Sequence, residues 1–272
     1  EIKGLTLEYW LVLFSTACFA NMLGLNISSG LKSAVAIYVL IPILLIPQIL
    51  FSGTIVNFDK LHGRLTPELY PPVVADLATS RWAYEALAVA QFKRNQYEKY
   101  FYNIDKQESK HSYFVNYFIP ELISYLDYAQ TCLIIKDTNN RQLKDQLKTL
   151  HNELTWMTRK HPPENGSPLP ELKPTQLSER KIARLRDYLN LLRITYSKKL
   201  DEILYRKDSL IQVLNRADQE GNLVNLEKKH HNQAIAELVK RKKDNTRLLA
   251  KHNQLYRKFE PIFKEPVRKD GR

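Results

Sequence analysis

The sequence predicts an all-α protein: a membrane helical hairpin at the start, then an extramembrane helical region that ends in a long antiparallel coiled-coil hairpin. Three observations carry this. Two long stretches near the start hold no charged residue; the whole net charge of +12 over 272 residues lies beyond them; and leucines recur at heptad spacing through the second half.

The membrane hairpin comes first. Residues 1–53 carry only Lys3 and Lys32 against Glu1 and Glu8, so this part is neutral while the remainder is strongly basic. Tyr9 to Leu31 and Ser33 to Phe58 are uncharged. As helices they reach roughly 35 and 39 Å, enough to cross a hydrocarbon core of about 30 Å. Ser15, Thr16, Asn21 and Asn26 dilute the first stretch, but Ser15, Ala17, Ala20 and Gly24 suit close packing against neighbouring helices. The turn, Asn26 to Lys32, is short enough for an antiparallel pair. Pro42 and Pro47 lie in the second stretch. Each removes a backbone donor, a fault tolerated where neighbours or a cavity satisfy the freed carbonyl, so a transport path and a kinked packing helix both fit. The chain opens Glu1-Ile2-Lys3 without methionine, has no signal-peptide pattern, and reads as an internal piece of a larger protein. Cys18 and Cys132 make no disulfide framework.

Prolines 67, 71 and 72 mark residues 59–75 as loop, and Asp76 to Tyr102 reads as one helix with Leu77, Ala78, Trp82, Leu87 and Phe92 on its apolar side. Tyr97, Tyr100, Tyr102, Tyr113 and Tyr117 follow, a composition that suits a membrane–water interface or an ordinary core rim equally. Phe114 to Ile135 is a helix broken or started at Pro120. Leu143, Leu147, Leu150, Leu154 and Met157 then step by four, three, four and three, a heptad seam. After a proline-rich connector, Ser178 is a plausible N-cap, and Ile182, Leu185, Leu189, Leu192, Tyr196, Ile203, Leu210 and Leu214 continue the seam. Gly221 breaks it; Leu226, Leu238, Leu248, Leu255 and Phe259 suggest a second helix from Leu223 to Phe259. The expected hairpin, residues 178–260, would project on the order of 55 Å.

Two segments in order carry a family resemblance: Ile46 to Phe58, IPQILFSGTIVNF, and Ser80 to Phe92, SRWAYEALAVAQF. A kinked apolar span ending in Phe-Ser-Gly, followed by Arg-aromatic-x-aromatic-Glu-Ala-Leu, resembles the permease half of G-subfamily ABC transporters. The resemblance covers about residues 8–95. It implies that the two spans are the fourth and fifth of six and that Ser80 to Phe92 is a re-entrant or interfacial helix on the outer membrane face. The implied organisation is a permease segment at 1–58, the re-entrant helix and a connecting helical region at 59–138, and a coiled-coil domain at 139–272. Residues 59–272 would be extracytoplasmic, in a bacterial homologue of the inner membrane, with the coiled coil an insertion that docks a partner protein. The basic charge beyond Gly53 points instead to a cytoplasmic side, but long domains cross largely regardless of charge.

The resemblance also implies site residues. Ile46 and Ile49 would face a substrate slit between two permease protomers, and Thr54 and Ile55 would form the plug beyond it, where better-known members have two leucines. Arg81 and Glu85, four apart on one helical face, are candidates for an ion pair that supports the helix, anchors it at the interface or takes part in gating.

Chemistry inside the segment is sparse. No G-x-x-x-x-G-K-[ST] loop occurs, so no cofactor is expected here, and ATP with its Mg would bind a nucleotide-binding domain of the same parent chain. The histidines are scattered; only His230 and His231 adjoin, about 100° apart on a helix, which suits solvated coiled-coil surface rather than a metal. No catalytic nucleophile stands in a recognisable motif. Acidic residues interleave with the basic ones, which argues against a nucleic-acid partner. The partners expected are therefore membrane lipid, a second permease protomer, the nucleotide-binding domain and a protein docked on the coiled coil. Two functions fit: the permease segment of an ATP-driven exporter of hydrophobic or amphipathic substrate, or a membrane-anchored coiled-coil tether without transport.

Overall fold

In a computed structural model of the chain, the structure describes residues 5–52, 73–137, 140–162, 178–217, 223–240, 248–257 and 261–263. Two compact units emerge, Glu1–Tyr100 with Gly221–Arg241, and Phe101–Glu220 with Lys242–Arg272. The described elements are almost all helical, with one two-stranded sheet.

The first unit opens with α1 (Thr6–Gly30) and α2 (Ala34–Leu50). Helix α1 absorbs Asn26 to Gly30, which the sequence had suggested as turn, so only residues 31–33 join the two helices. None of the side chains of either helix is buried. Helix α1 is long and apolar enough to cross a membrane; α2, apolar throughout, is described for 17 residues and falls just short in length. The rest of the expected second span, residues 53–58, lies outside the described residues.

The single helix expected from Asp76 to Tyr102 is three pieces: α3 (Val73–Asp76), α4 (Thr79–Lys93) and the start of α5 (Glu98–Tyr113). Asn95 makes the second break. Its amide nitrogen donates to the Gln91 and Phe92 carbonyls (3.1 and 2.8 Å), closing α4. Its amide oxygen accepts from the Tyr97 and Glu98 backbone N–H groups (2.9 and 2.6 Å), opening α5. One short polar side chain thus satisfies orphan groups of two helix ends. Leu77 and Trp82, expected on the apolar side, are exposed; Ala88 and Phe92 are the apolar side chains that α4 buries.

In the second unit, α5 continues without a break through a π-helical turn, Phe114–Phe118, into α6 (Ile119–Ile135). Pro120 neither breaks nor starts a helix here. Proline has no N–H for the carbonyl four residues back, and a widened turn accommodates its ring; accordingly the Ile119 N–H reaches back five residues to the Phe114 carbonyl. Lys136, at φ 62°, closes α6 in the left-handed region, with the Asp137 N–H on the Cys132 carbonyl at 3.0 Å.

Helix α7 (Arg141–Lys160) is N-capped by Asn140, and its predicted seam holds: Leu143, Leu147, Leu150, Leu154 and Met157 are all buried. Helix α8 (Glu179–Ala217) starts where Ser178 predicts, the Ser178 hydroxyl accepting the Lys181 N–H at 3.4 Å. Ile182, Leu185, Leu189, Leu192 and Tyr196 join α6 and α7 in one core; Ile203 is also buried, whereas Leu210 and Leu214 are only half-buried. Phe114, buried at the start of the π-turn, stacks on Tyr196 with ring centroids 4.5 Å apart.

The second arm of the expected coiled-coil hairpin is not a helix of coiled-coil length. Residues 223–259 contain α9 (Leu223–His230), α10 (Gln233–Lys240) and a β-hairpin of β1 (Leu248–Lys251) and β2 (Gln254–Arg257). Asn232 interrupts the helix by capping α10, its side chain accepting the Ile235 N–H at 3.2 Å. His252 and Asn253 both have positive φ, 51° and 56°, as a two-residue hairpin turn requires. The fully buried Glu153 of α7 accepts the Leu255 N–H at 2.9 Å, which binds β2 to the core. Leu248 and Leu255, seven apart, look like a helical seam in sequence; in the structure they stand on opposite strands.

Candidate membrane site

The site is built from α1, α2 and α4. Helices α1 and α2 leave Trp10, Leu13, Phe14, Val35, Ile43 and many similar side chains exposed. Each would gain roughly 1.5–3 kcal/mol from leaving water, so helices of this composition require lipid or other apolar helices around them. Their polar groups turn inward on the backbone, as hydrocarbon demands. Ser15 donates to the Val12 carbonyl at 2.9 Å, Thr16 donates to the same carbonyl, and Ser29 donates to the Asn26 carbonyl at 3.1 Å.

Helix α4 is fastened at both ends. At its C-terminal end, Arg94 donates to the Glu8 carboxylate at 2.7 Å, and the Tyr9 hydroxyl donates to the Gln91 side chain at 2.7 Å. Both contacts meet the first turn of α1. At the other end, the Ser80 hydroxyl donates to the Gln48 carbonyl at 2.6 Å. Gln48 is in the last turn of α2, where carbonyls lack intrahelical donors. Ser52 serves the next one, its hydroxyl donating to Ile49 at 2.7 Å. Helix α4 therefore bridges the beginning of α1 and the end of α2.

Arg81 and Glu85 are brought together, Nη2 to Oε2 at 3.5 Å. The buried Arg81 also pairs with Asp76 of α3, and its guanidinium lies 4.7 Å over the Trp82 ring, whose Nε1–H donates to the Asp76 carbonyl at 2.8 Å. The pair belongs to a network that fastens α3 to the first turns of α4. Ile46 and Ile49 are 55% and 49% exposed, three residues apart on α2 and uncovered by the chain. Thr54 and Ile55 lie outside the described residues.

One cluster in this unit has no signature in residue spacing. Glu98, 2% exposed, is contacted by His231 Nδ1 at 3.1 Å and by Lys240 Nζ at 3.7 Å. His231 sets its ring edge-on to Tyr97, and Lys240 stands 5.1 Å over the Phe92 ring. The two side chains come from the break before α10 and from its last residue, so both ends of that helix converge on one carboxylate. His231 is thus no solvated coiled-coil residue. Neither is His161 in the second unit, whose Nε2 meets the Tyr196 hydroxyl at 2.8 Å; burial lowers its pKa, and Lys199 and Lys160 lower it further. Among the described residues no three His, Cys, Asp or Glu side chains cluster to hold a metal.

The described residues hold one helix, α1, long and apolar enough to cross a membrane, and a family match over the same segment indicates a membrane-integral protein. Residues 2–92 match the family model of the ABC-2 type transporter, which supports an ABC-2 permease for that segment. The family's membrane domain is a transporter component, not itself catalytic, and works with a nucleotide-binding partner in a lipid membrane. No curated protein and no solved structure matches the chain.

Proposed function

We propose that α1 and α2 are the fourth and fifth membrane helices of a G-subfamily-type permease. It exports a hydrophobic or amphipathic substrate and is driven by ATP and Mg bound in a nucleotide-binding domain. The observation that carries this is the uncovered apolar helix pair inside the segment that matches the ABC-2 family. The two-ended fastening of α4 supports a re-entrant or interfacial helix on the face where α1 begins and α2 ends, with Arg81 and Glu85 securing its entry. Ile46 and Ile49, uncovered on α2, line the substrate path against a second protomer, and Thr54 and Ile55 close it outward. Residues 59–272 are extracytoplasmic in the inner membrane of a bacterium, and the helical region beyond residue 100 docks a partner protein. Exposed Tyr205 and Val213 on the distal half of α8 favour such a surface.

The test is transport-coupled ATP turnover of the full-length protein in liposomes. Ile55→Ala alters turnover, Ile55→Leu stays near wild type, and Ile37→Ala, earlier in α2, reports general helix damage. Equal effects of Ile55→Ala and Ile37→Ala, or none from either, refute the plug and the path through Ile46 and Ile49.

A further inference from the structure

We propose that the corner between α4 and α5 is a binding site for anionic phospholipid, in which Lys93, Arg94 and Lys99 take the headgroup phosphate beside Tyr100. The inference rests on the membrane-integral reading of α1 and adds to it a lipid class and a place.

Position comes first. The corner is held to the first turn of α1 by Arg94 on Glu8 and by Tyr9 on Gln91, each at 2.7 Å. From Tyr9 onward α1 carries no charge. The helix from there to Gly30 is roughly 32 Å long, close to the full hydrocarbon thickness of about 30 Å. A span that fills the hydrocarbon puts its first turn, and whatever is fastened to it, at headgroup depth.

Charge comes second. Lys93, Arg94 and Lys99 are exposed. Among the described residues, the Glu8 carboxylate is engaged by Arg94, and Glu98 is buried against His231 and Lys240. The ammonium groups of Lys93 and Lys99 then give the described solvent side of the corner a positive charge. Lys99 extends over the exposed Tyr100 ring with its ammonium 4.8 Å from the centroid. An aromatic face that carries a cation and has a polar tip is suited to the interfacial layer. Attraction to anionic lipid falls away within a Debye length of about 8 Å at physiological salt, so only cations held at this depth contribute.

The test offers the full-length protein, in micelles, equal amounts of phosphatidylglycerol and phosphatidylcholine and reads retained lipid by native mass spectrometry. Phosphatidylglycerol is retained at least about threefold over phosphatidylcholine. The Lys93→Gln/Lys99→Gln double variant loses that preference, while Arg193→Gln/Lys198→Gln on α8 keeps it. Should the first variant not fold, raising salt to about 1 M, where the Debye length is about 3 Å, abolishes the wild-type preference. A wild type without preference, a Lys93→Gln/Lys99→Gln protein that keeps it, or a preference indifferent to salt overturns the site. An alkaline carbonate wash of native membranes separates the two readings. Release of the protein refutes membrane integration itself, whereas a protein that stays in the membrane without lipid preference refutes only the lipid site.

Discussion

Replacing Glu98 by alanine removes the one carboxylate on which both ends of α10 converge. Breaking a buried ion pair by deleting one partner costs about 3–5 kcal/mol. Here the cost is smaller, because His231 and Lys240 keep 17% and 15% of their side-chain surface in water. We take about 2–3 kcal/mol. The loss falls on α10 rather than on the whole unit. Eight residues are well below the roughly 12–15 that sustain a helix alone, and α10 otherwise buries only Ala236 and Val239. At about 1.4 kcal/mol per tenfold, amide exchange across Gln233–Lys240 should accelerate about 30- to 150-fold in the full-length protein. The Asn95 cap of α5 is donated to by backbone and survives the substitution. Hydrogen–deuterium exchange resolved to α10, α4 and α8 is the assay. Unchanged protection in α10, or loss spread equally through α4 and α1, would show that the carboxylate does not hold this helix.

Two further predictions concern the second unit. Burial by itself would pull the Lys207 ammonium down, but the Asp105 and Glu108 carboxylates, at 2.8 and 2.7 Å, push its pKa up to about 12. A cation raised in the folded state contributes stability fully below its ordinary value near 10.5, and that contribution disappears as pH rises from there through about 12. With the side chain 28% exposed, solvent screening leaves about 1 kcal/mol, so Lys207→Met should destabilise the unit by that amount at neutral pH and by progressively less as pH rises from about 10.5 through about 12 in denaturant titrations. Burial likewise pushes Tyr125, Tyr188 and Tyr196 up to about 12, aided at Tyr125 by Glu121 and Glu153 and at Tyr196 by Tyr188. Their neutral forms favour the folded state, so stability falls as pH rises from about 10 to about 12. Phenolate absorbance should show at least these three late-ionising tyrosines, and Tyr196→Phe should remove one; a single transition near the ordinary value would contradict their burial.

Much of the helical framework was legible from spacing. Uncharged runs announced α1 and most of α2, because the absence of charge over more than a dozen residues is a property of composition alone. The seams of α7 and the first half of α8 were equally plain. In both, Leu143 to Met157 and Ile182 to Tyr196, the stripe is repeated often enough that one helical face has to be buried whatever packs on it. Ser178 and the short link between α1 and α2 are likewise local decisions of backbone and side chain.

The errors lie where a local pattern supports two structures and long-range contacts choose. Leu248 and Leu255 fit a heptad and a hairpin alike; Glu153, about a hundred residues earlier, selects the hairpin by accepting a strand N–H in the core. Pro120 suggested a helix boundary, yet the core of α6, α7 and α8 has room for Phe114 and Phe118, and a π-turn lets the chain pass proline without stopping. The clasp on Glu98 and the fastening of α4 to Glu8, Tyr9 and Gln48 join residues up to 142 apart in the chain, from Glu98 to Lys240. Nothing in the spacing of His231, Lys240 or Arg94 marks those partners, because an ion pair has no period. Sequence alone determined that α1, most of α2, α7 and α8 are helical and which face of α7 and of the first half of α8 is apolar, since propensity and hydrophobic repeat act over a few turns. Only the tertiary structure decided where helices end and which charges meet, since those depend on the free energy of contacts between segments distant in the chain.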